Sequence, residues 1–232
     1  MEIVRANSKG IKRALEVLRS GGIVAHATET CYGLACDLTN PQAVQKLFEL
    51  KQRPENQPVS ALFASVDQVK NYVEWSERAE ELAQKHLPGP LTLILPRKNG
   101  APFYIWIKPP PLFSSYEVKP SPPFSPSLLR GRGMGGEGIG IRISSHPVAM
   151  ELAQKFGKPL STTSANVHGQ PNTYSVGEIQ RQLTVRADGH TPLLSLSILI
   201  LDSGPLPKNP PSTIINLTDN NTSTVRTGNL QI

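Results

Sequence analysis

Ile11, Leu15 and Leu18 recur at helical spacing between Ser8 and Arg19, the pattern of a helix with one apolar face. Ser8 stands where a capping residue belongs, and Gly21-Gly22 stop the helix. The run from Gly22 to Thr28 is apolar and predicts a buried strand. Polarity returns in Thr28-Glu29-Thr30-Cys31-Tyr32-Gly33-Leu34, read as the loop after that strand, where functional residues commonly sit. Asn40-Pro41 opens a second helix with a cap and a first-turn proline. Val44, Leu47 and Phe48 form its apolar face, and Pro54 prevents it from continuing past Leu50-Lys51. Further along, strands are predicted at 58–64, 91–95, 139–143, 159–163, 198–201, 213–217 and 222–226. Helices are predicted over 67–86, broken near Trp75-Ser76, and over 146–156 and 175–183. Strands and helices mix without strict alternation, which predicts an α/β fold built on a sheet of mixed direction.

Residues 99–137 break the pattern. They hold eight of the 22 prolines, and 131–138 is dense in glycine. Such composition cannot bury enough apolar surface to order itself. The stretch reads as an extended insertion in a single domain covering 1–232.

Length and composition narrow the picture. The 232 residues suffice for one large α/β domain. No apolar run approaches the roughly 20 residues that span a bilayer. The first residues lack the charged-then-apolar order of a signal peptide, so no membrane association and a cytoplasmic location are expected. Cys31 and Cys36 are too few for a disulfide framework or a zinc site. A net charge of +6 and a pI near 9.4 suit polyanionic partners, nucleotides or RNA, and equally suit simple solubility.

Two apparent motifs are set aside. Gly131 to Gly136 satisfies G-x-G-x-x-G, but it precedes a predicted strand, so no helix N-terminus follows to receive a pyrophosphate. No P-loop is present, and the five histidines show no metal spacing. More informative is Lys51-Gln52-Arg53-Pro54 taken with Ser164-Ala165-Asn166. Two cations, a hydroxyl and an amide suit phosphoryl oxygens. Alone, the cations read equally well as charges offsetting a helix C-terminus, and S-x-N as a turn.

Six stretches occur together, in order. They are Thr28 to Leu34, Lys51 to Pro54, Pro88 to Leu93, Gly140 to Arg142, Ser164 to Asn166, and Ser212-Thr213 with Arg226-Thr227-Gly228. In that order and spacing the chain resembles the YrdC-like threonylcarbamoyl-AMP synthases over nearly its whole length except 99–137. The resemblance implies a twisted α/β sheet with flanking helices around a large basic cavity. It implies synthesis of L-threonylcarbamoyladenylate from L-threonine, bicarbonate and ATP, with magnesium on the triphosphate and release of pyrophosphate. The product would pass to a threonylcarbamoyl transferase complex that modifies tRNA next to the anticodon. By position, Thr30, Arg142, Thr162 and Ser212 would hold threonine. Arg53, Gln57, Ser164, Asn172 and Arg226 would hold ATP, with Lys51 and Asn166 completing the signature. Lys51, Arg53, Ser164 and Asn166 are the candidate catalytic set.

The match has departures. Cys31 replaces a small β-branched residue, and Leu62 stands where some members place a histidine near threonine. Asn172-Thr173-Tyr174 replaces Ser-Pro-Thr, and Gly138 stands at a usual threonine. Two other readings stay open: a module binding tRNA or double-stranded RNA without synthase activity, and a copy disabled by the insertion.

Overall fold

The computed structural model describes residues 1–54, 57–98, 138–184, 198–218 and 222–230. The stretch 99–137, read from sequence as an insertion, lies outside the described residues together with its glycine motif. In chain order the elements are β1 (Glu2–Arg5), α1 (Ser8–Arg19), β2 (Ile23–Ala27), β3 (Tyr32–Ala35), α2 (Pro41–Lys51), β4 (Ser60–Leu62), α3 (Val66–Lys70) and α4 (Glu77–His86). Then come β5 (Leu91–Pro96), β6 (Gly138–Arg142), α5 (Pro147–Phe156), β7 (Leu160–Ser164), α6 (Val176–Thr184), β8 (Ile198–Asp202), β9 (Thr213–Asn216) and β10 (Ser223–Arg226).

Local chemistry explains most boundaries. Asn7, not Ser8, caps α1, its side chain accepting from Gly10 N–H at 3.0 Å. Ser8 is already the first helical residue. Asn40 caps α2 as expected, accepting from Gln42 and Ala43 N–H. Ser65 and Ser76 each cap one of the two helices in the 67–86 region, so the break before Ser76 is a fresh helix start. The polar stretch after β2 corrects the sequence reading: only its first half is loop. Tyr32 to Ala35 form a strand antiparallel to β2, with His26 opposite Gly33, and are buried throughout.

Among the described residues the strands make one ten-stranded sheet, ordered β1-β8-β2-β3-β7-β4-β6-β5-β9-β10. Directions are mixed: β4 and β6 run parallel, while β7 is antiparallel to both β3 and β4. One face is packed along its length. Ile23, Ala25, Leu34, Ala61, Leu93, Ile141 and Ile200 meet α2, α3, α4 and α6 there. Each fully buried leucine or isoleucine among them contributes about 1.5–3 kcal/mol. The other face is packed on one side only. Helices α1 and α5 cover Val24, Ala35, Leu199 and Leu201, and reach no further than Leu62 and Leu160. Strand alternation turns Ser60, Gly140, Arg142, Thr162, Ser164 and Thr92 to this same face. Ser60, Gly140 and Ser164 are only half-buried. Among the described residues, one region of polar and small side chains is therefore left without a helix over it.

Two glycines report close approach. A Cβ on Gly138 would lie 2.6 Å from both Ile94 Cγ2 and Thr218 Cγ2, so this neighbourhood has no room for the family's threonine. A Cβ on Gly10 would lie 2.0 Å from the Arg5 carbonyl oxygen. Alanine ordinarily favours a helix over glycine by about 1 kcal/mol, but here the backbone clash wins. Gly10→Ala is expected to lower unfolding stability by about 1–3 kcal/mol, read by urea denaturation. A neutral or stabilising result would contradict the tight β1–α1 corner.

Candidate active site

The loop 28–31 folds over the open face and organises itself around Thr28. The Thr28 hydroxyl donates to Cys31 O at 2.6 Å and accepts from Thr30 and Cys31 N–H at 3.2 Å each. Its one proton is thus spent on Cys31. The two threonine hydroxyls lie 3.0 Å apart. Thr30 Oγ1 accepts from Arg142 Nη2 at 2.9 Å. The same Nη2 donates to Glu29 Oε1 at 2.7 Å. Ser144 Oγ donates to Glu29 Oε2, and Asn209 Nδ2 donates to the Glu29 carbonyl at 2.9 Å. Burial works to raise the Glu29 carboxyl, but the Arg142 charge and the Ser144 bond outweigh it and hold the group below the usual range. Arg142 is 8% exposed, and its buried Nε has no hydrogen-bond partner among the described residues. A buried guanidinium N–H without an acceptor is a position prepared for one.

The signature halves meet directly. Lys51, the last residue of α2, is 2% exposed. Its Nζ donates to Ser164 O at 2.5 Å, Asn166 O at 2.8 Å and Asn166 Oδ1 at 3.1 Å. Asn166 Oδ1 also accepts from Ser164 Oγ at 2.6 Å. His168 N–H returns a bond to the Lys51 carbonyl at 2.8 Å, so the helix end and the turn after β7 are stapled twice. Burial and the neighbouring Arg53 charge pull the Lys51 ammonium down to about 7. The three accepting oxygens act the other way, since they favour the ammonium.

Arg53 follows a left-handed Gln52 (φ 51°) that ends α2. Its Nε and Nη2 donate to Gln57 O (2.9 Å) and Pro58 O (2.8 Å), so it holds the loop that carries Gln57. Ser212 is buried; its hydroxyl lies 2.9 Å from Thr92 Oγ1 and accepts from Arg226 Nη2 at 2.9 Å. Arg226 belongs to an exposed strand, yet its guanidinium folds back, with Nε donating to Ser212 O at 3.0 Å. Thr162 is 9% exposed on the open face. Leu62 is fully buried beside Arg142 in the strand register. Asn172 lines a cleft of about 280 Å³ with Tyr174, Arg181 and Lys208. It makes no described contact with the Lys51 group, although its neighbour Thr173 donates to Ala165 O at 3.0 Å.

Cys31 lies where these parts converge. Burial pushes its thiol up, while the charges of Arg142, Lys51 and Arg226 and a bond with Thr30 pull it back. Three cations from α2, β6 and β10 thus lie within electrostatic reach of one sulfur. Sequence reasoning identified those cations and missed Glu29, Ser144 and Asn209. Glu29 stood inside a quoted motif, and Ser144 two residues beyond Arg142.

Comparison with known proteins shows which family the fold belongs to. The family model Sua5/YciO/YrdC, described as telomere recombination, matches residues 16–110 and 119–228. A Vibrio campbellii threonylcarbamoyl-AMP synthase is 33% identical over 178 residues, 75% of this chain and 82% of that one. The Halorhodospira halophila threonylcarbamoyl-AMP synthase is 32% identical, over 78% of this chain and 82% of that one. The crystal structure of P. abyssi Sua5 complexed with L-threonine superposes with a TM-score of 0.73 at 27% identity. It covers 98% of this chain, which spans only 56% of that Sua5.

Proposed function

This chain belongs to the Sua5/YciO/YrdC family, and from that premise we propose that it makes L-threonylcarbamoyladenylate at the convergent site around Cys31. It is an enzyme of the nucleotidyltransferase class, a threonylcarbamoyl-AMP synthase like the relatives it matches. The observation that carries the assignment to this site is the buried pair of Arg142 and Thr30, joined to the stapled Lys51–Ser164–Asn166 turn by Cys31, whose thiol feels the charges of both Arg142 and Lys51. The first suits an amino-acid carboxylate, the second a phosphate-bearing partner. An RNA-binding module would not require the buried pair.

In this reading Arg142, Thr30, Thr162 and Ser212 hold L-threonine. Arg53, Gln57, Ser164, Asn166 and Arg226 face ATP, with Asn172 at the margin of the nucleotide site. Lys51 holds the Ser164–Asn166 turn in shape. The threonine amine captures bicarbonate as a carbamate, with loss of water. A carbamate oxygen then attacks the α-phosphorus; the new O–P bond forms as the bond to the β-phosphate bridge breaks, and pyrophosphate leaves. Nothing becomes attached to the protein, so positioning and charge stabilisation do the work. Magnesium travels with the triphosphate: among the described residues no three His, Cys, Asp or Glu side chains are grouped to hold a metal. The adenylate is consumed in tRNA modification by a separate transferase. Among the described residues no helix is long and apolar enough to cross a membrane.

Purified protein is expected to release pyrophosphate only when ATP, bicarbonate and L-threonine are all present. Release without threonine, or none with all three, would count against the proposal.

A further inference from the structure

The threonine set of Arg142, Thr30, Thr162 and Ser212 offers a cation and three hydroxyls, but no anion. A free amino acid arrives with an ammonium beside its carboxylate, and leaving that ammonium unpaired in a closed site is costly. Glu29 is the one acidic side chain bonded to any member of the set among the described residues. Its two oxygens accept from Arg142 Nη2 and Ser144 Oγ, and its own backbone N–H adds a third bond. Each carboxylate oxygen accommodates about two, so the pair retains room for another donor. The side chain is 14% exposed, enough to keep one edge reachable. Beside it, Arg142 Nε, without a partner among the described residues, marks a place for an incoming carboxylate. Cation and anion are thus held 2.7 Å apart, matching the opposite charges carried on one α-carbon.

We propose that Glu29 binds the ammonium group of the amino-acid substrate, while Arg142, which it also orients, takes the carboxylate. The inference rests on the synthase reading and adds to it the residue that selects amino acids over hydroxy or deaminated acids. Ser144 keeps the carboxylate aimed, and Asn209 fixes the backbone beneath it.

The alternative is that Glu29 only neutralises Arg142. Calorimetric titration of wild type and Glu29→Gln with L-threonine and with 3-hydroxybutyrate, which is threonine without its amine, separates the two. The variant is expected to bind L-threonine about 10- to 100-fold more weakly, the worth of one charge-assisted bond. Its affinity for 3-hydroxybutyrate should stay within about twofold of the wild type. If Glu29→Gln does not fold, Glu29→Asp keeps the charge near Arg142 and retracts it by one methylene, and the same selective loss is expected. An equal loss for both compounds, or no loss for either, overturns the inference while leaving the synthase reading standing. A wild-type protein that binds no L-threonine defeats both.

Discussion

Arg142→Ala lowers kcat/KM for L-threonine about 100- to 4,000-fold and leaves ATP affinity, measured without threonine, within about twofold. The size follows from truncating a buried, charge-assisted partner, which costs about 3–5 kcal/mol, with each 1.4 kcal/mol a factor of about ten. The selectivity follows from position: Arg142 bonds to Glu29 and Thr30, not to the Lys51–Ser164–Asn166 turn. The variant also strands the partly buried Glu29 carboxylate, left without a cationic partner, so stability falls as well. The double variant Glu29→Gln, Arg142→Ala removes the stranded charge. It should regain part of the stability and none of the activity. Activity that recovered along with stability would reduce Arg142 to a structural role. A threonine KM unchanged in the single variant would remove it from the amino-acid site.

The helices were legible because their signals are local. Asn40-Pro41 and the spacing of Val44, Leu47 and Phe48 specify α2 within a dozen residues, and the structure reproduces it from Pro41 to Lys51. β1 was not legible. Its four residues alternate weakly in burial and pair only with β8, whose residues follow nearly 200 positions later. β3 was misread because Gly33 and the preceding hydroxyls look like loop, whereas burial between β2 and β7 overrides that local preference. The candidate site was legible only as cations and hydroxyls in ordered motifs. Lys51 and Asn166 were paired across more than a hundred residues, and they touch. What each group touches was not legible. Arg53 turns to its own loop carbonyls, and nothing in the sequence separates Glu29 from a solvated surface glutamate. Its burial arises only when the 28–31 loop folds over the face that carries Arg142.

Lys51→Met is expected to cut synthesis at least 100-fold, although Lys51 need not touch a phosphate. All three of its ammonium hydrogens already go to Ser164 and Asn166 oxygens. Methionine fills the volume but leaves those oxygens to reorganise, and misplacing aligned groups by about 1 Å can cost about 100-fold in rate. Arginine should not rescue, because a planar fork cannot direct three bonds onto oxygens arranged around one tetrahedral nitrogen. Stability gives a second readout. The folded Lys51 titrates at about 7, below its ordinary value of 10.5, chiefly through burial. Between those values the unfolded chain binds one more proton than the folded one, so stability rises with pH across that window and is flat below it. Relative to Lys51→Met, which cannot titrate there, the wild type should gain about 2 kcal/mol between pH 7 and 9. Chemical denaturation of both proteins at the two pH values measures this difference. Parallel stability profiles would mean that the three oxygens keep Lys51 charged in the folded protein. Rescue by Lys51→Arg would mean that positive charge alone, and not the shape of the staple, is what the Ser164–Asn166 turn requires.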